Sequence, residues 1–318
     1  MAKLLYSSSK GVVNPVLLTI FTPTYNRIKT LKRTFESILQ LKKEVSYRGK
    51  PINFEWIIID DGSTDDTRSV VEQWCNKSSF PIFYYWQENQ GKHVAMNFAV
   101  SIAKGEFFLT LDSDDCLLPN ALEVFFKEWE SIKDIDNYCC VSARCIDENN
   151  HIVGDRLPNS PLDVTFTRLR MVYRNDGELL DMYRTSILCK YHFPQYDSRM
   201  RFCPESIVWH EMAKKYLMRV LDVPVRIYYY DADTSLIKSH NISRSVSTYY
   251  LWLYMINNLS QYIFSNPKEI LKAYVGVSMD GYRVGYSFVK MWNDIHSLPQ
   301  KISFFMLLPL GLILSKIK

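Results

Sequence analysis

Asp112, Asp114 and Asp115 crowd three carboxylates into one short stretch directly after the apolar residues 107–111. Unshielded, such charges repel one another and drive their pKa values upward. A hard divalent ion resolves the conflict, because Mg2+ and Mn2+ take oxygen ligands, usually one or two carboxylates completed by phosphate oxygens and water. Alone, the string also reads as a solvated turn ahead of the helix that starts near Pro119. Its place after a buried strand, beside a second acidic pair, favours the cation. That second pair, Asp60-Asp61, runs into Gly62-Ser63. It reads either as a turn or as a carboxylate offered to a nucleobase N–H or a ribose hydroxyl.

The elements that must carry these residues follow from periodicity. Residues 17–21, 54–59, 82–86 and 107–111 are apolar runs too short for helices, so four buried strands are expected. Between them lie helical stripes. Ile28, Leu31, Phe35, Ile38 and Leu39 form one; Val70, Val71 and Trp74 form another, behind a cap at Thr64 or Asp65. Ala95, Met96, Ala99, Ile102 and Ala103 follow Gly91, and Leu122, Phe125, Phe126 and Trp129 follow Pro119. Such alternation gives a mostly parallel sheet with helices on both faces, and ligands bind beyond the carboxyl ends of its strands. Three of the strands end in polar clusters, at 22–27, 60–63 and 112–115, which predicts one shared site.

The whole chain fits that picture. Its 318 residues suffice for one large domain or two modest ones. With 47% apolar and 23% charged residues it is globular in composition, which excludes wholesale disorder, coiled coil and collagen. A net charge of +4 is too small for a nucleic-acid binder. The 21 tyrosines suit ring-lined clefts, membrane-proximal surfaces or core packing. Seven cysteines without a CxxC pair, two of them adjacent at Cys139 and Cys140, point to a reducing compartment and away from structural zinc. Residues 1–15 hold no apolar h-region, so a cytosolic chain without a secretory signal is expected.

Pro23-Thr24-Tyr25-Asn26, Ile59-Asp60-Asp61-Gly62-Ser63-Thr64-Asp65 and Leu111-Asp112-Ser113-Asp114-Asp115, in this order and spacing, resemble the family 2 glycosyltransferases of GT-A fold. Residues 91–97 (GKHVAMN) and Ala103-Lys104-Gly105-Glu106 fit the same pattern. The resemblance is carried by residues 15–135 and fades beyond, although residues 202–209 (FCPESIVW) look like the acceptor-side motif of bacterial members. It implies an α/β, Rossmann-like GT-A fold, its mostly parallel central sheet flanked by helices, with a C-terminal helical extension. Residues 1–135 would form the nucleotide-sugar half, 136–240 the acceptor half, and 241–318 a helical C-terminal region, either associated with the membrane or docked on the core.

The resemblance also implies roles. Pro23, Thr24 and Tyr25 would line the uracil pocket of a UDP-sugar, and Asp61 would accept from the base N3–H. Asp114 would sit near the ribose and complete, with Asp112 and Asp115, a site for Mn2+ or Mg2+. Lys92 and Asn97 would reach the nucleotide. Family members invert the anomeric centre, so an α-linked donor would give a β-glycoside. The acceptor hydroxyl then needs a general base. Glu205 is the candidate, ahead of a helix carrying Val208, Met212 and Tyr216. Many relatives have Glu-Asp where this chain has Pro204-Glu205-Ser206, which leaves Glu205 as the single carboxylate there and Glu211 as the next choice. The bland alternative places the Glu205 charge in a first helical turn, where the dipole favours it. Asp181 fits either an acceptor cleft or a surface, and His240 in its polar loop reads as solvated.

Residues 249–264 are apolar around much of a helix and read as a packed element. Residues 302–314 (ISFFMLLPLGLIL) would reach about 20 Å as a helix, short of a bilayer core of about 30 Å. Lys301, Lys316 and Lys318 flank them, as in a segment lying on an anionic cytoplasmic surface. Bacterial members that build O-antigen or capsule act on lipid-diphosphate acceptors at the inner leaflet, so a glycolipid or oligosaccharide acceptor and a peripheral inner-membrane location are implied. A phosphoryl-transfer enzyme fits worse, since the first strand ends without a carboxylate. A nicotinamide dehydrogenase lacks its GxGxxG. A non-catalytic nucleotide-sugar-binding scaffold is the remaining alternative; the intact set Asp61, Asp112, Asp114, Asp115 and Glu205 argues against it.

Overall fold

Apolar, β-branched and aromatic runs closed by Asp, Gly or Ser become strands, and the amphipathic stretches between them become helices. The computed structural model describes residues 2–8, 15–42, 44–230 and 242–316. The chain forms two compact units. The first comprises Met1–Phe166, Asn175–His192 and Glu211–Ala232; the second comprises Thr167–Arg174, Phe193–His210 and Asp233–Lys318.

The first unit opens with β1 (Lys3–Ser7), β2 (Leu18–Thr24), α1 (Ile28–Leu39) and the small ribbon β3 (Ser46–Tyr47) and β4 (Lys50–Pro51). It continues through β5 (Phe54–Asp60), α2 (Thr67–Lys77), β6 (Ile82–Trp86), α3 (Lys92–Ile102), β7 (Phe107–Thr110), β8 (Cys116–Leu117) and α4 (Ala121–Ser131). Then come β9 (Tyr138–Ile146), β10 (Leu162–Val164), α5 (Phe166–Met171), β11 (Leu179–Arg184), α6 (Thr185–Leu188), α7 (Ser206–Met212) and β12 (Leu217–Ile227), with α5 and α7 crossing the unit boundary.

The sheet order is β1-β6-β5-β2-β7-β11-β9-β12-β10. β6, β5, β2 and β7 run parallel, as the alternation of strands and helices requires. Beyond β7 the sheet turns mixed. β11 enters between β7 and β9, antiparallel to both, and β9 pairs parallel with β12. Alternation stops at residue 131, so periodicity revealed only β2, β5, β6 and β7 of this sheet. β2 also runs further than expected: Pro23 and Thr24 stay in register with Ile59 and Asp60. α2 opens at Thr67 with Asp66 at the N-cap position, one or two residues past the expected Thr64 or Asp65, and the Thr67 N–H donates to the Asp65 carboxylate at 3.1 Å.

α4 lays Leu122, Phe125, Phe126 and Trp129 on one face of the sheet, against Phe107, Leu109, Val141 and Met182. Phe107 meets Trp129 with ring centroids 4.8 Å apart, and Phe35 of α1 stacks on Trp74 of α2 at 4.4 Å. α3 contacts β2 and β5. The Ala103-Lys104-Gly105-Glu106 string locks β7 beside β2. Buried Glu55 accepts from Thr19 Oγ1 and from Lys104 N–H, both at 2.8 Å, and Gly105 N–H donates to Thr19 Oγ1 at 2.9 Å. A Cβ at Gly105 would stand 2.6 Å from Leu18 C and 2.7 Å from Phe107 O, so only glycine lets the backbones approach.

The second unit holds α8 (Ile242–Leu259), α9 (Pro267–Arg283), α10 (Phe288–Asp294) and α11 (Leu298–Ser315). α9 packs between α8 and α11. Its buried Asp280 accepts from Thr248 Oγ1 at 2.7 Å and from Trp252 Nε1 at 2.9 Å. α11 is longer than the expected 302–314. A Ser297–Gln300 capping box with Pro299 in the first turn adds a turn at its start, and 18 residues reach about 27 Å. α7 is shorter than expected, ending at Met212 so that Tyr216 lies beyond it.

Candidate active site

The carboxyl ends of β6, β5, β2 and β7 lie along one edge of the parallel sheet, and the polar clusters gather there. Asp61 N–H donates to Thr24 O at 2.8 Å and Gln87 N–H to Asp60 O at 2.9 Å, joining three strand ends. Asn26 clasps the second cluster: its Oδ1 accepts from Thr64 N–H at 2.7 Å, and its own N–H donates to Ser63 Oγ at 2.9 Å. The Tyr25-Asn26 and Ser63-Thr64 strings therefore build one another's loops.

The two acids of the Asp60-Asp61 pair differ. Asp60 is wholly buried, accepts from Ser63 N–H at 2.7 Å and from the Tyr84 hydroxyl, and is pushed above the usual carboxylate range by burial. It closes the turn. Asp61 accepts from Gln87 Nε2 at 2.7 Å and Gln90 N–H at 2.9 Å on Oδ1, and from Gly91 N–H at 2.8 Å on Oδ2. A carboxylate offers about four lone-pair positions, so these donors leave one on Oδ2. Thr24 is buried, Pro23 half-buried, and Tyr25 exposed at the lip of the same loop.

Asp112, Asp114 and Asp115 bring carboxylate oxygens within 4.8 Å of one another. Among the described residues, this is the one group of three or more such ligands. Each carboxylate meets a cation from a different element. Lys92 Nζ, at the start of α3, lies 2.8 Å from Asp112 Oδ1; Arg27, capping α1, meets Asp114; and Arg226, near the end of β12, lies 2.9 Å from Asp115 Oδ2. Backbone is pinned too, with Arg33 donating to Asp114 O at 2.7 Å and Thr34 Oγ1 to Asp115 O at 2.8 Å.

The electrostatics follow from this arrangement. Burial pushes Asp115 up to about 7 against the pull of Arg226, with Asp112 and Asp114 adding repulsion. Burial and the Asp112 charge also raise Asp114, against Arg27. Burial opposes ionisation of Asp112 as well, but Lys92, Arg226 and Arg27 outweigh it and hold its carboxyl low. Three crowded hard-oxygen donors, two of them raised by burial and mutual repulsion, fit a divalent cation.

The sequence carried no signal for Gln87 or Arg226, and placed Arg27 at the site only as the last residue of the 22–27 cluster. The Arg27 pairing with Asp114 joins that cluster to the acidic triad. Arg226 lies in a different segment from Asp115 and no spacing announces it. Asn97 is half-buried on α3. Glu205 belongs to the second unit, half-buried before α7, with its backbone carbonyl accepting from Val208 N–H at 2.9 Å. Asp181 is half-buried on β11, taking Ser142 Oγ at 2.5 Å and the Tyr183 hydroxyl at 2.7 Å. His240 lies outside the described residues.

The family model for glycosyl transferase family 2 matches residues 19–193, more than half of the chain. The chain belongs to glycosyl transferase family 2. An uncharacterized glycosyltransferase of Haemophilus influenzae is 31% identical over 162 residues, 51% of this chain and 50% of that protein. Chondroitin synthase of Escherichia coli is 33% identical over 141 residues, 44% of this chain and 19% of that protein. The chain thus spans at most about half the length of the curated relatives it matches. Among solved structures, S. aureus TarS 1–349 in complex with UDP-GlcNAc aligns with a TM-score of 0.60 at 15% identity, covering 94% of this chain and 88% of that one. The mannosyltransferase PcManGT of Pyrobaculum calidifontis, in complex with GDP-Man and Mn2+, aligns at 0.50 and 18% identity, covering 93% and 80%. The fold is the GT-A arrangement.

Proposed function

We propose that this family 2 member is an inverting glycosyltransferase that moves a sugar from a UDP-sugar to a saccharide acceptor carried on a lipid diphosphate, in cell-surface polysaccharide synthesis. The observation that carries this reading is the acidic triad lying at the same sheet edge as the Thr24–Asp61 loops. Pro23, Thr24 and Tyr25 flank the base, and the remaining Oδ2 position of Asp61 accepts its N3–H. TarS bound to UDP-GlcNAc supports uridine; PcManGT bound to GDP-Man makes guanosine the competing outcome of a donor test.

Asp112, Asp114 and Asp115 would hold Mn2+ or Mg2+. When bound, such an ion supplies Lewis-acid stabilisation of the departing diphosphate. The chain's own residues do the rest. Lys92 and Asn97 approach the nucleotide from α3. Glu205 takes the proton of the acceptor hydroxyl as its oxygen attacks the anomeric carbon, while the bond from that carbon to the β-phosphate oxygen breaks and UDP leaves. Attack opposite the leaving group turns an α-linked donor into a β-glycoside.

The acceptor side draws support from α11. Leu298, Ile302, Phe305, Met306, Leu310 and Ile313 are exposed along it, while only Phe304 and Gly311 are buried. A Cβ at Gly311 would collide with Ser278 of α9, so the two helices lie in close contact, and α9 bears Glu269 and Asp280. A helix tied to so polar a neighbour suits the interface of a cytoplasmic leaflet better than a crossing, with Lys301 and Lys316 at its ends. UDP release from a panel of UDP-sugars on isolated membranes tests the whole reading. Turnover with one donor supports it, and nucleotide binding with no turnover of any sugar donor favours the scaffold.

A further inference from the structure

The hydrogen bonds that Asp61 accepts are divided unevenly between its two oxygens. Gln87 Nε2 at 2.7 Å and Gln90 N–H at 2.9 Å both donate to Oδ1, while Gly91 N–H at 2.8 Å donates to Oδ2. Each carboxylate oxygen accepts about two hydrogen bonds, so Oδ1 is full and Oδ2 keeps one further place. Two of the donors are backbone groups that any residue other than proline would supply. Gln87 is the one side chain among them, so whether Oδ1 is full depends on the residue at position 87. That residue is 2% exposed, which shields its bond from water, and its own N–H is tied to Asp60 O at 2.9 Å.

On the donor reading above, which this inference extends, Asp61 faces the hydrogen-bonding edge of a nucleobase. Uracil offers that edge a single donor, N3–H, set between two carbonyls. Guanine offers two donors side by side, N1–H and the 2-amino group, which engage a carboxylate as a fork with one bond on each oxygen. A carboxylate with one open place satisfies uracil in full. It leaves the amino group of guanine against an oxygen that already holds two donors. A base left with a desolvated, unpaired donor is bound much more weakly than one whose donors are all met.

We propose that Gln87 sets base specificity: by closing Oδ1 of Asp61 it admits a base with one donor and penalises a base with two, so uridine is selected over guanosine. Gln87 is a positioning residue, acting through Asp61 rather than on the base. Hypoxanthine isolates the effect, because it has the ring system and N1–H of guanine without the amino group. A merely structural Gln87 would support the loop into α3 and affect every nucleotide alike.

The test is calorimetric titration of the full chain with UDP, inosine diphosphate (IDP) and GDP at fixed Mn2+, weak ligands being read by displacement of UDP. In the wild type UDP binds tightest, and IDP binds about tenfold more tightly than GDP. In Gln87→Met, and separately in Gln87→Leu, a place on Oδ1 opens. The preference for IDP over GDP then falls by about tenfold, while UDP and IDP weaken together. The wild-type preference is measured without any variant, so a variant that fails to fold does not remove the test. GDP as tight as IDP in the wild type overturns the selection, as does an unchanged preference in both variants. Failure of both purines to displace UDP from any of the three proteins also overturns it, since size alone would then exclude guanine. Each of these results leaves uridine recognition intact. A wild type that does not bind UDP, or that binds GDP more tightly, overturns the donor reading and the selection together.

Discussion

Gln87 Nε2 donates to Asp61 Oδ1 at 2.7 Å, and the next loop residues reinforce it with the N–H groups of Gln90 and Gly91. The carboxylate proposed to recognise the base is thereby aimed by the loop that leads into α3. Asp61→Asn replaces one acceptor oxygen by a donor facing those N–H groups. Calorimetry should show UDP affinity lower by about tenfold or more, as for loss of a hydrogen bond to a charged group. Gln87→Ala removes only one donor and should lower stability by about 1 kcal/mol with a smaller loss of affinity. Equal UDP affinity in wild type and Asp61→Asn would remove Asp61 from the base site.

Glu205→Gln keeps shape and removes the proton acceptor. Turnover should fall by about 100-fold to 10,000-fold while UDP binding holds. Near-normal turnover would transfer the role to another carboxylate, Glu211 first.

Gly105→Ala probes the joint between β2 and β7. Its Cβ would press on the Leu18 and Phe107 backbones, neither of which yields easily. Chemical denaturation should show a loss of about 2–3 kcal/mol, typical of overpacking. A change within a few tenths would mean the strands separate at little cost.

The α11 face is tested by Phe305→Ser with Met306→Ser, both at exposed positions where folding should be untouched. Cosedimentation with vesicles containing anionic lipid should drop in the variant, and wild-type binding should weaken with salt. Undiminished binding by the variant would detach this face from the membrane.

The donor edge was legible because its determinants are local. An apolar run, a polar stop and a helix start announce each βα unit, and the strings around Thr24, Asp61 and Asp112 each fall inside one such unit. β11 was not legible, because its place between β7 and β9 is set by strand pairing with distant segments. Arg226 was hidden for a related reason: β12 brings it to Asp115 through sheet pairing, and pairing partners are not written in spacing. The early start of α11 was visible in principle, since Ser297 and Gln300 have the spacing of a capping box before an apolar run. Lys92 and Asp112 both stood in quoted motifs, but their contact depends on α3 meeting the end of β7, which only the fold supplies.

On the proposed function, the acidic triad couples a divalent cation to a uridine diphosphate. Asp112→Asn is the cleaner variant for it, since Lys92 stays partly solvated, whereas changing Asp115 would take from the buried Arg226 the nearer of its two carboxylates, Glu178 being the other. UDP should be titrated calorimetrically into the wild type and Asp112→Asn, with and without Mn2+. Mn2+ should tighten UDP binding in the wild type and lose most of that effect in the variant. UDP affinity indifferent to Mn2+ in the wild type would contradict it.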